Sequence, residues 1–379
     1  MSRGDRWLLI LPLVLTAVGL VMVYSSSAIL GITRYQDPDH FLTKQLFRVA
    51  LGFVVFALVA LRADLRFIER HAPKLLGVAV ALLVFVVVAG HVAGGATRWI
   101  RLGTMTLQPT DLARLAAVVF LAWWLKRRPP AEHGFARGLL PPLAIVGAMA
   151  GLILLQPNLS SAGLLAATGF TLIFLAEAPV LHLAVPFGVG LGGVAVALYT
   201  HPYMMGRVRT FIGFVLTGTL ESRGSGWQLD QSLIAIGSGG WLGRGLGAGL
   251  QKYLFLPEAH TDFIFSILAE ELGFLGSTVL LALFSLLVWR GLKVTARTAD
   301  PFQFLFAAGL TLQLGLYAIV NLAVATGLAP TTGLPLPFVS YGGSALLANL
   351  AAAGLLYRIS VVNETGEAVA RERWSREAA

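Results

Sequence analysis

Long apolar runs separated by short polar segments follow one another along most of the chain. A run of about 20 apolar residues is the length that crosses a bilayer as a helix. The pattern therefore predicts an all-α integral membrane protein with about ten transmembrane helices. The predicted spans are, approximately, Trp7–Leu30, Gln45–Leu61, Leu75–Val92, Leu112–Leu125, Gly138–Leu155, Ser160–Leu175, Val180–Tyr199, Asp262–Trp289, Phe302–Leu328 and Ser344–Leu355.

The longest interval without a continuous apolar span is residues 201–261, between the seventh and eighth predicted helices. We predict that residues 1–361 form one polytopic membrane domain, that 201–261 is a large loop within it, and that 362–379 is a polar tail. Arg3 and Arg6 before the first apolar run resemble a signal peptide. The run continues to Val23, longer than the roughly 7–15 residues of a signal peptide's apolar region, so we predict a retained first helix.

The composition narrows the class of protein. Hydrophobic residues make up 56% of the 379 residues and charged residues only 12%, against about 25% charged in soluble domains. The chain has no cysteine, which excludes disulfides, thiol catalysis and cysteine-ligated metals. A net charge of +9 could indicate nucleic-acid binding, but the excess lies in short loops between apolar runs, as membrane topology requires. We therefore expect no nucleic-acid partner.

The positions of the basic residues also predict the orientation. Lys and Arg clusters follow the second, fourth, eighth and tenth predicted helices, so these loops and both termini are expected in the cytoplasm. The large loop is then extracytoplasmic. Basic residues are usually concentrated in cytoplasmic loops, so those in outward loops are exceptions. They indicate either an anionic ligand such as a pyrophosphate or simply solvated charge. These residues are Arg98, Arg101, Arg207, Arg209, Arg223, Arg244 and Lys252.

The most informative stretch, LPEAHTDF at residues 256–263, ends a glycine-rich polar segment and begins a long apolar one. Thr261 suits a helix N-cap, and Asp262 would lie in the first turn, where the helix dipole favours an acid. A carboxylate at the mouth of a membrane helix is costly and is usually functional or paired. Asp262 is therefore expected to be either functional or paired with another charge.

Two further motifs predict local structure. Pro109, Thr110 and Asp111 suit a helix start. Asp111 and Arg114 are three residues apart, so they can pair on one helix face, either as a structural ion pair or to shape a cavity near the outer leaflet. Asn158 suits a helix cap.

The extracytoplasmic segments carry two more signals. Aromatic and arginine residues in the 201–261 loop suit interfacial helices. The late segment 327–344 contains three prolines and four glycines, so we predict a fixed, non-helical loop packed on protein. A selectivity filter or a broken transporter helix is the competing interpretation of that loop.

These motifs, in this order and over nearly the whole chain, resemble the SEDS family (shape, elongation, division and sporulation). Asp111 and Arg114 stand where the family usually has Glu and Lys, which keeps the charge signs, whereas Asn158 stands where the family has Asp. Within the family, the chain is more similar to the division branch than to the elongation branch. The resemblance implies an enzyme that polymerises lipid II into peptidoglycan strands, with Asp262 as the essential aspartate.

The resemblance and the residues together suggest a site. Asp262 would act as general base on the acceptor GlcNAc 4-hydroxyl, with Glu258 raising its pKa. Undecaprenyl pyrophosphate would leave, and its charge would need cationic groups. We expect no required cofactor and no dedicated metal site, although a divalent cation such as Mg or Mn could bridge the pyrophosphate. The residues predicted to bind substrate are Arg98, Asp111, Arg114, Arg244, Lys252, Glu258, His260 and Ser340.

The resemblance also implies a setting. The enzyme would lie in the bacterial cytoplasmic membrane at the septum, with its active site on the outer face, among other divisome membrane proteins. A class B penicillin-binding protein would supply transpeptidation, because the chain has no Ser-x-x-Lys transpeptidase motif. The alternatives are an elongation-type polymerase, a lipid II flippase and a scaffold that only recruits partners.

Overall fold

The computed structural model describes the backbone of residues 4–93, 96–102, 105–220 and 224–377, and the side chains of 4–90, 98–100, 106–220 and 224–365. Helices dominate it. The helices are α1 Trp7–Tyr35, α2 His40–Arg62, α3 Leu65–Ala89, α4 Pro109–Arg127, α5 Pro130–Gly134, α6 Leu140–Leu154, α7 Leu159–Leu175, α8 Val180–Thr200, α9 Pro202–Thr217, α10 Gly224–Ser238, α11 Ile264–Ala296, α12 Pro301–Ala325 and α13 Ser344–Glu377, with a π-helical turn Phe135–Leu139 before α6.

Within the described part of the chain, eight helical segments are long and apolar enough to cross a membrane, and α7 is a shorter apolar helix. The all-α membrane class is therefore confirmed. Helix α4 is not among the eight, because it carries Asp111, Arg114 and a basic C-terminal end. It nevertheless occupies the position of the fourth predicted span. The total of ten spans stays a prediction.

Helices α4 and α12 lie at the centre of the bundle. Helix α12 packs against α4, α7, α11 and α13, and 78% of its most apolar stretch is buried. Helix α4 buries side chains all around its axis. By contrast, only 11% of the corresponding stretch of α8 is buried, as expected for a helix that faces lipid. The C-terminal end of α4 contacts the start of α12 through Lys126 and Asp300, so the two helices run in opposite directions and the loop after α12 lies at the end of the bundle where α4 begins.

A small antiparallel sheet lies between α3 and α4. In the described residues its strands are β1 His91–Ala93, β2 Ala96–Leu102 and β3 Met105–Leu107, in the order β1-β2-β3. Residue Ile100 of β2 pairs with Leu107 of β3. The sheet places Arg98, on its central strand, next to the junction between the end of α6 and the start of α7.

Helix α11 is broken at Gly273, where φ is 66°. A segment that we call the glycine loop, residues 239–252, lies against the break. Its amides at Arg244 and Gly245 donate to the carbonyls of Glu270 and Glu271, at 3.0 Å each. Its carbonyl at Gly240 accepts from the amide of Phe274, at 2.8 Å. The loop therefore pairs the backbone groups that the break leaves open, which a segment at membrane depth requires.

Candidate functional site

Asp262 lies in a turn-rich segment that follows the glycine loop, not in a helix. Helix α11 begins at Ile264, its N-cap position is Phe263, and no acid lies in its first turn. The prediction that Thr261 caps the helix was therefore wrong. The Thr261 hydroxyl instead donates within the turn, to the carbonyl oxygen and the carboxylate of Glu258. The Thr261 hydroxyl does not cap α11, because it already donates hydrogen bonds to Glu258 within this turn.

The late loop, residues 326–343, holds this turn in place from the other side. It is non-helical from Pro330 to Gly343, as predicted. The Ser340 hydroxyl donates to the carbonyl oxygen of Thr261, and the Tyr341 amide donates to the carbonyl oxygen of His260 at 2.9 Å. The predicted substrate-binding residue Ser340 therefore lies beside Asp262, where its contacts are with the protein backbone.

Asn321 of α12 contacts the turn that contains Asp262, and sequence reasoning did not assign it to the site. Its amide nitrogen donates to the carbonyl oxygen of Asp262 at 2.8 Å and to that of Leu334 at 2.7 Å. One buried side chain thus joins the Asp262 turn to the late loop. A Cβ at Gly333 would lie 3.5 Å from the Asp262 carboxylate, so the late loop also passes close to the carboxyl group itself.

The half-buried Asp262 carboxyl group has a pKa raised from 3.8 to about 7. Loss of solvent is the largest cause, and the negative charge of Glu258 is the second. Arg207 and Arg98 act in the opposite direction, because their positive charges stabilise the carboxylate. The role predicted for Glu258, raising the Asp262 pKa, agrees with this arrangement. A pKa near neutrality is suited to a general base.

Arg98 and Arg207 approach Asp262 from two separate elements. The Arg98 guanidinium donates to the carbonyl oxygens of Gln156 and Pro157, between α6 and α7. Burial and the neighbouring Arg207 lower the Arg98 pKa. Arg207 of α9 donates to the carbonyl oxygens of Thr331 and Thr332 in the late loop, at 3.2 and 3.0 Å. Two neighbouring guanidinium groups supply the positive charge that binding of an anion requires.

The two arginines line what we call the arginine cavity. Its walls come from β2, the start of α7, α9 and the late loop. It adjoins a larger cavity of about 440 Å³, which shares Tyr203 and Arg207 with it and extends to Trp227 and Pro257. Sequence reasoning listed Arg207 among the outward basic residues but did not place it in the site. The Arg-x-Arg pair at 207–209 in an outward loop was the signal that could have found it.

His260 lies in an aromatic cluster next to the turn. Its ring is 4.9 Å from that of Phe41 and 5.4 Å from that of Tyr341, measured between centroids. Burial lowers its pKa, with Glu258 opposing the change and Arg34 adding to it. His260 is therefore neutral at physiological pH and packs the Asp262 turn against α2 and the late loop.

Asp111 and Arg114 form the predicted pair, 3.9 Å apart, at a helix start that has Pro109 in its first turn as expected. Their contacts are with other helices. Asp111 accepts from the Ser344 hydroxyl at 2.7 Å, and Arg114 donates to Asn349 of α13 at 2.6 Å. The pair joins α4 to α13, and none of these contacts is with Asp262. The helix-capping prediction for Asn158 is also confirmed, since its side chain accepts from Ser161 N at 3.2 Å.

The structure does not bring Lys252 or Arg244 to Asp262. The buried Lys252 ammonium pairs with Glu271 at 2.7 Å. Arg244 lies on the exposed side of the glycine loop, 4.0 Å from Glu270. The predicted roles of these two residues as pyrophosphate ligands gain no support from the geometry. No group of three His, Asp or Glu side chains within the described residues could hold a metal ion.

Comparisons with known proteins identify the family to which the chain belongs. A family model described as cell cycle protein, for FtsW, RodA and SpoVE, matches residues 5–365. The chain belongs to this family. It is 38% identical over 363 residues to the probable peptidoglycan glycosyltransferase FtsW of Trichlorobacter lovleyi, an alignment that covers 95% of this chain and 94% of that protein.

Solved structures of the FtsW, RodA and SpoVE family have the same fold. RodA, the rod shape determining protein of Thermus thermophilus, matches with a TM-score of 0.69 and 30% identity over 94% of this chain and 96% of that one. A chain from a peptidoglycan synthase complex that coordinates polymerization and crosslinking matches with a TM-score of 0.77 and 31% identity, covering 95% of this chain and 98% of that one. The fold predicted by the resemblance is thereby confirmed.

Proposed function

We propose that the protein is a peptidoglycan glycosyltransferase that polymerises lipid II into glycan strands during septal cell-wall synthesis. One observation carries the proposal. The Asp262 carboxyl group has a pKa of about 7, and its charge interacts with those of Arg98 and Arg207, which line the arginine cavity. A base poised near neutral pH next to an anion site is what glycosyl transfer from a pyrophosphate donor requires.

In this mechanism the acceptor is the GlcNAc 4-hydroxyl of lipid II. Asp262 takes its proton as the oxygen attacks the anomeric carbon of the donor's MurNAc. The bond from that carbon to the pyrophosphate oxygen breaks, and its electron pair leaves with undecaprenyl pyrophosphate. Arg98 and Arg207 neutralise the charge that develops on the leaving group. A positioned general base typically contributes about 10²–10⁴-fold in rate.

Any divalent cation in this reaction, Mg²⁺ or Mn²⁺, would arrive bound to the pyrophosphate. Within the described side chains, Asp262 is an acid whose charge interacts with both cavity arginines, Glu258 is its acidic neighbour, and no three-ligand cluster is present. A cation held by one or two carboxylates and by substrate phosphates is the usual mode for Mg²⁺. The chain's own contribution to the leaving group is then the guanidinium pair.

We propose a class B penicillin-binding protein as partner, in the bacterial cytoplasmic membrane at the septum, with the active site on the outer face. The support is the similarity to a chain of a synthase complex that coordinates polymerization and crosslinking. In the topology predicted from the charge distribution, the outward side of the bundle carries the sheet, α9, the turn that contains Asp262 and the late loop.

The test is polymerisation of lipid II by the purified protein with such a partner, itself lacking polymerase activity, in the presence of moenomycin. Wild type, Asp262→Asn and the control Asp230→Asn would be compared. Asp230 is another acid of the 201–261 loop, and its side-chain contact is with the neighbouring Gln231. We expect glycan ladders from wild type and from Asp230→Asn, and none from Asp262→Asn.

Ladders that persist in Asp262→Asn would refute the general-base role and leave the polymerase. Absence of ladders from all three proteins, with partner binding demonstrated by co-purification, would refute the polymerase. Lipid II movement across vesicles would then be measured, because a flippase is the next candidate.

A further inference from the structure

The buried ion pair between Lys252 and Glu271 lies at the two ends of the segment that contains Asp262. The two residues are 19 positions apart and meet at 2.7 Å. The chain between them contains Glu258, His260 and Asp262. The ion pair therefore joins the two ends of a segment that contains Asp262 and its neighbours Glu258 and His260.

The contacts of Lys252 fix the beginning of that loop to three elements. Its ammonium donates to Glu271 of α11, to the Ser25 hydroxyl of α1 at 3.1 Å, and to the carbonyl oxygen of Gly247 at 2.6 Å. A lysine ammonium has three donors, so each has a partner here. Such full pairing is what keeps a buried charge in place.

Two adjacent carboxylates of α11 hold the same region by its backbone. Glu271 accepts from the amide of Gly247 at 3.0 Å and from the Ser25 hydroxyl at 2.7 Å. Glu270 accepts from the amides of Leu250 and Gln251 at 2.8 and 3.1 Å. Both side chains are almost completely buried. The end of the glycine loop is thus fixed against α11, about two turns below Asp262.

The segment between this anchor and α11 is strained. Leu254 has φ of 69° and Glu258 has φ of 54°, values that side-chain-bearing residues rarely adopt. Such conformations persist only where the surroundings impose them. One end of the segment is continuous with α11, and the other end is fixed by the Lys252–Glu271 pair. The ion pair is therefore part of what imposes the shape of the turn that carries Asp262.

We propose that Lys252 and Glu271 are positioning residues for glycosyl transfer. Their ion pair anchors residues 252–262 and keeps the Asp262 carboxylate facing Arg98 and Arg207. This assignment rests on the proposed function, and it replaces the predicted role of Lys252 as a pyrophosphate ligand. A contribution to folding stability alone is the competing explanation, and the experiment separates the two.

The variants are Lys252→Met, Glu271→Gln, the double variant and the charge swap Lys252→Glu with Glu271→Lys. Single variants leave a buried charge without its partner and are expected to unfold at lower temperature. The double variant has no unpaired charge, and its glutamine can still accept from Ser25 and Gly247. We expect its unfolding temperature to lie within about 3 °C of wild type, since neutral replacement of a buried pair is often tolerated.

The measured quantities are kcat and KM for lipid II, the pH profile of the rate, and amide hydrogen exchange of residues 253–262. In the double variant we expect kcat to fall roughly 10²-fold with KM changed less than about twofold, because small displacements of a catalytic group cost rates of this size. The acid limb of the pH profile should also move, and exchange in 253–262 should accelerate. The swap should recover part of kcat.

Lys126→Met is the matched control. Lys126 pairs with Glu69 and Asp300, at 3.1 and 2.9 Å, near the opposite end of α4 from Pro109. The substitution removes a lysine–carboxylate ion pair that is partly exposed and distant from the turn that contains Asp262, so kcat and exchange in 253–262 should stay at the wild-type values.

A stable double variant with wild-type kcat, pH profile and exchange would overturn the proposal and leave a purely structural pair. If wild type made no glycan, the proposed function would fail. Exchange would still decide whether the pair anchors the turn, because faster exchange in the double variant needs no substrate.

Discussion

The pKa of Asp262 can be moved in either direction by changing one neighbouring charge. Its value rises from 3.8 to about 7, with loss of solvent first among the causes and Glu258 second. Glu258→Gln removes the negative charge, so it should lower the Asp262 pKa. Arg207→Gln removes a positive charge that stabilises the carboxylate, so it should raise the pKa. The two variants therefore have opposite expected signs.

The expected size of the pKa change follows from the order in which burial and the neighbouring charges contribute to the Asp262 pKa. The full rise is about three pH units, and Glu258 contributes less than the largest cause, so about one unit is the expected change for Glu258→Gln. A base with a pKa of about 7 is roughly 10% ionised at pH 6, and one with a pKa of about 6 is half ionised. Polymerisation at pH 6, relative to the plateau, should therefore rise about fivefold. The glutamine side chain of this variant keeps an oxygen that can accept from the Thr261 hydroxyl, as the Glu258 carboxylate does.

The assay is the initial rate of lipid II polymerisation at low substrate, from about pH 5 to pH 9, since the acid limb of kcat/KM reports the pKa of the free enzyme's base. For Arg207→Gln the plateau should fall as well, because this residue lines the anion site, but the limb position is independent of the plateau height. Coincident acid limbs in wild type and both variants would refute the assignment of Asp262 as the titrating base.

Further predictions concern stability, measured by thermal or denaturant unfolding in detergent. Asp262→Asn should stabilise the protein by about 1–3 kcal/mol at pH 8, because a carboxyl with a raised folded-state pKa is penalised once ionised; the gain should vanish as the pH falls towards about 4, near the unfolded-state pKa. An equal gain at both pH values would contradict this sign. Gly273→Ala should cost at least about 3 kcal/mol, since its φ is 66° and a Cβ would overlap Gly243, whereas Gly77→Ala, with nothing within 4 Å, should be neutral or stabilising by up to about 1 kcal/mol. Asn158→Ala should cost about 1 kcal/mol through the lost cap, and Asn158→Asp should not; equal losses from both would exclude capping as the cause.

Much of the fold and part of the site followed from local patterns. Apolar runs predicted the positions of the long helices, because each run must bury itself in lipid or protein whatever its neighbours are. The start of α4 at Pro109 and the cap of α7 at Asn158 were correct, since a cap depends on a few adjacent residues. The non-helical late loop was correct because its prolines cannot continue a helix.

The same reasoning failed where a competing turn or a contact with a distant part of the chain decided the local structure. Thr261 was expected to cap a helix, but its hydroxyl is taken by Glu258 and its carbonyl by Ser340, 79 residues later. The small sheet between α3 and α4 was not predicted, because its strands are held by pairing with one another and not by an apolar run. Lys252 was expected to bind a pyrophosphate, and it pairs instead with Glu271 and Ser25.

The sequence by itself therefore determined the class of protein, the approximate helices and the identity of the central acid. The tertiary structure decided the chemistry around that acid. Arg207 reaches the site only because α9 packs beside the late loop, 124 residues further along the chain, and the Asp262 pKa depends on which charges the fold brings near. Electrostatic effects act through space and solvent exposure, and neither is encoded in the spacing of residues along the chain.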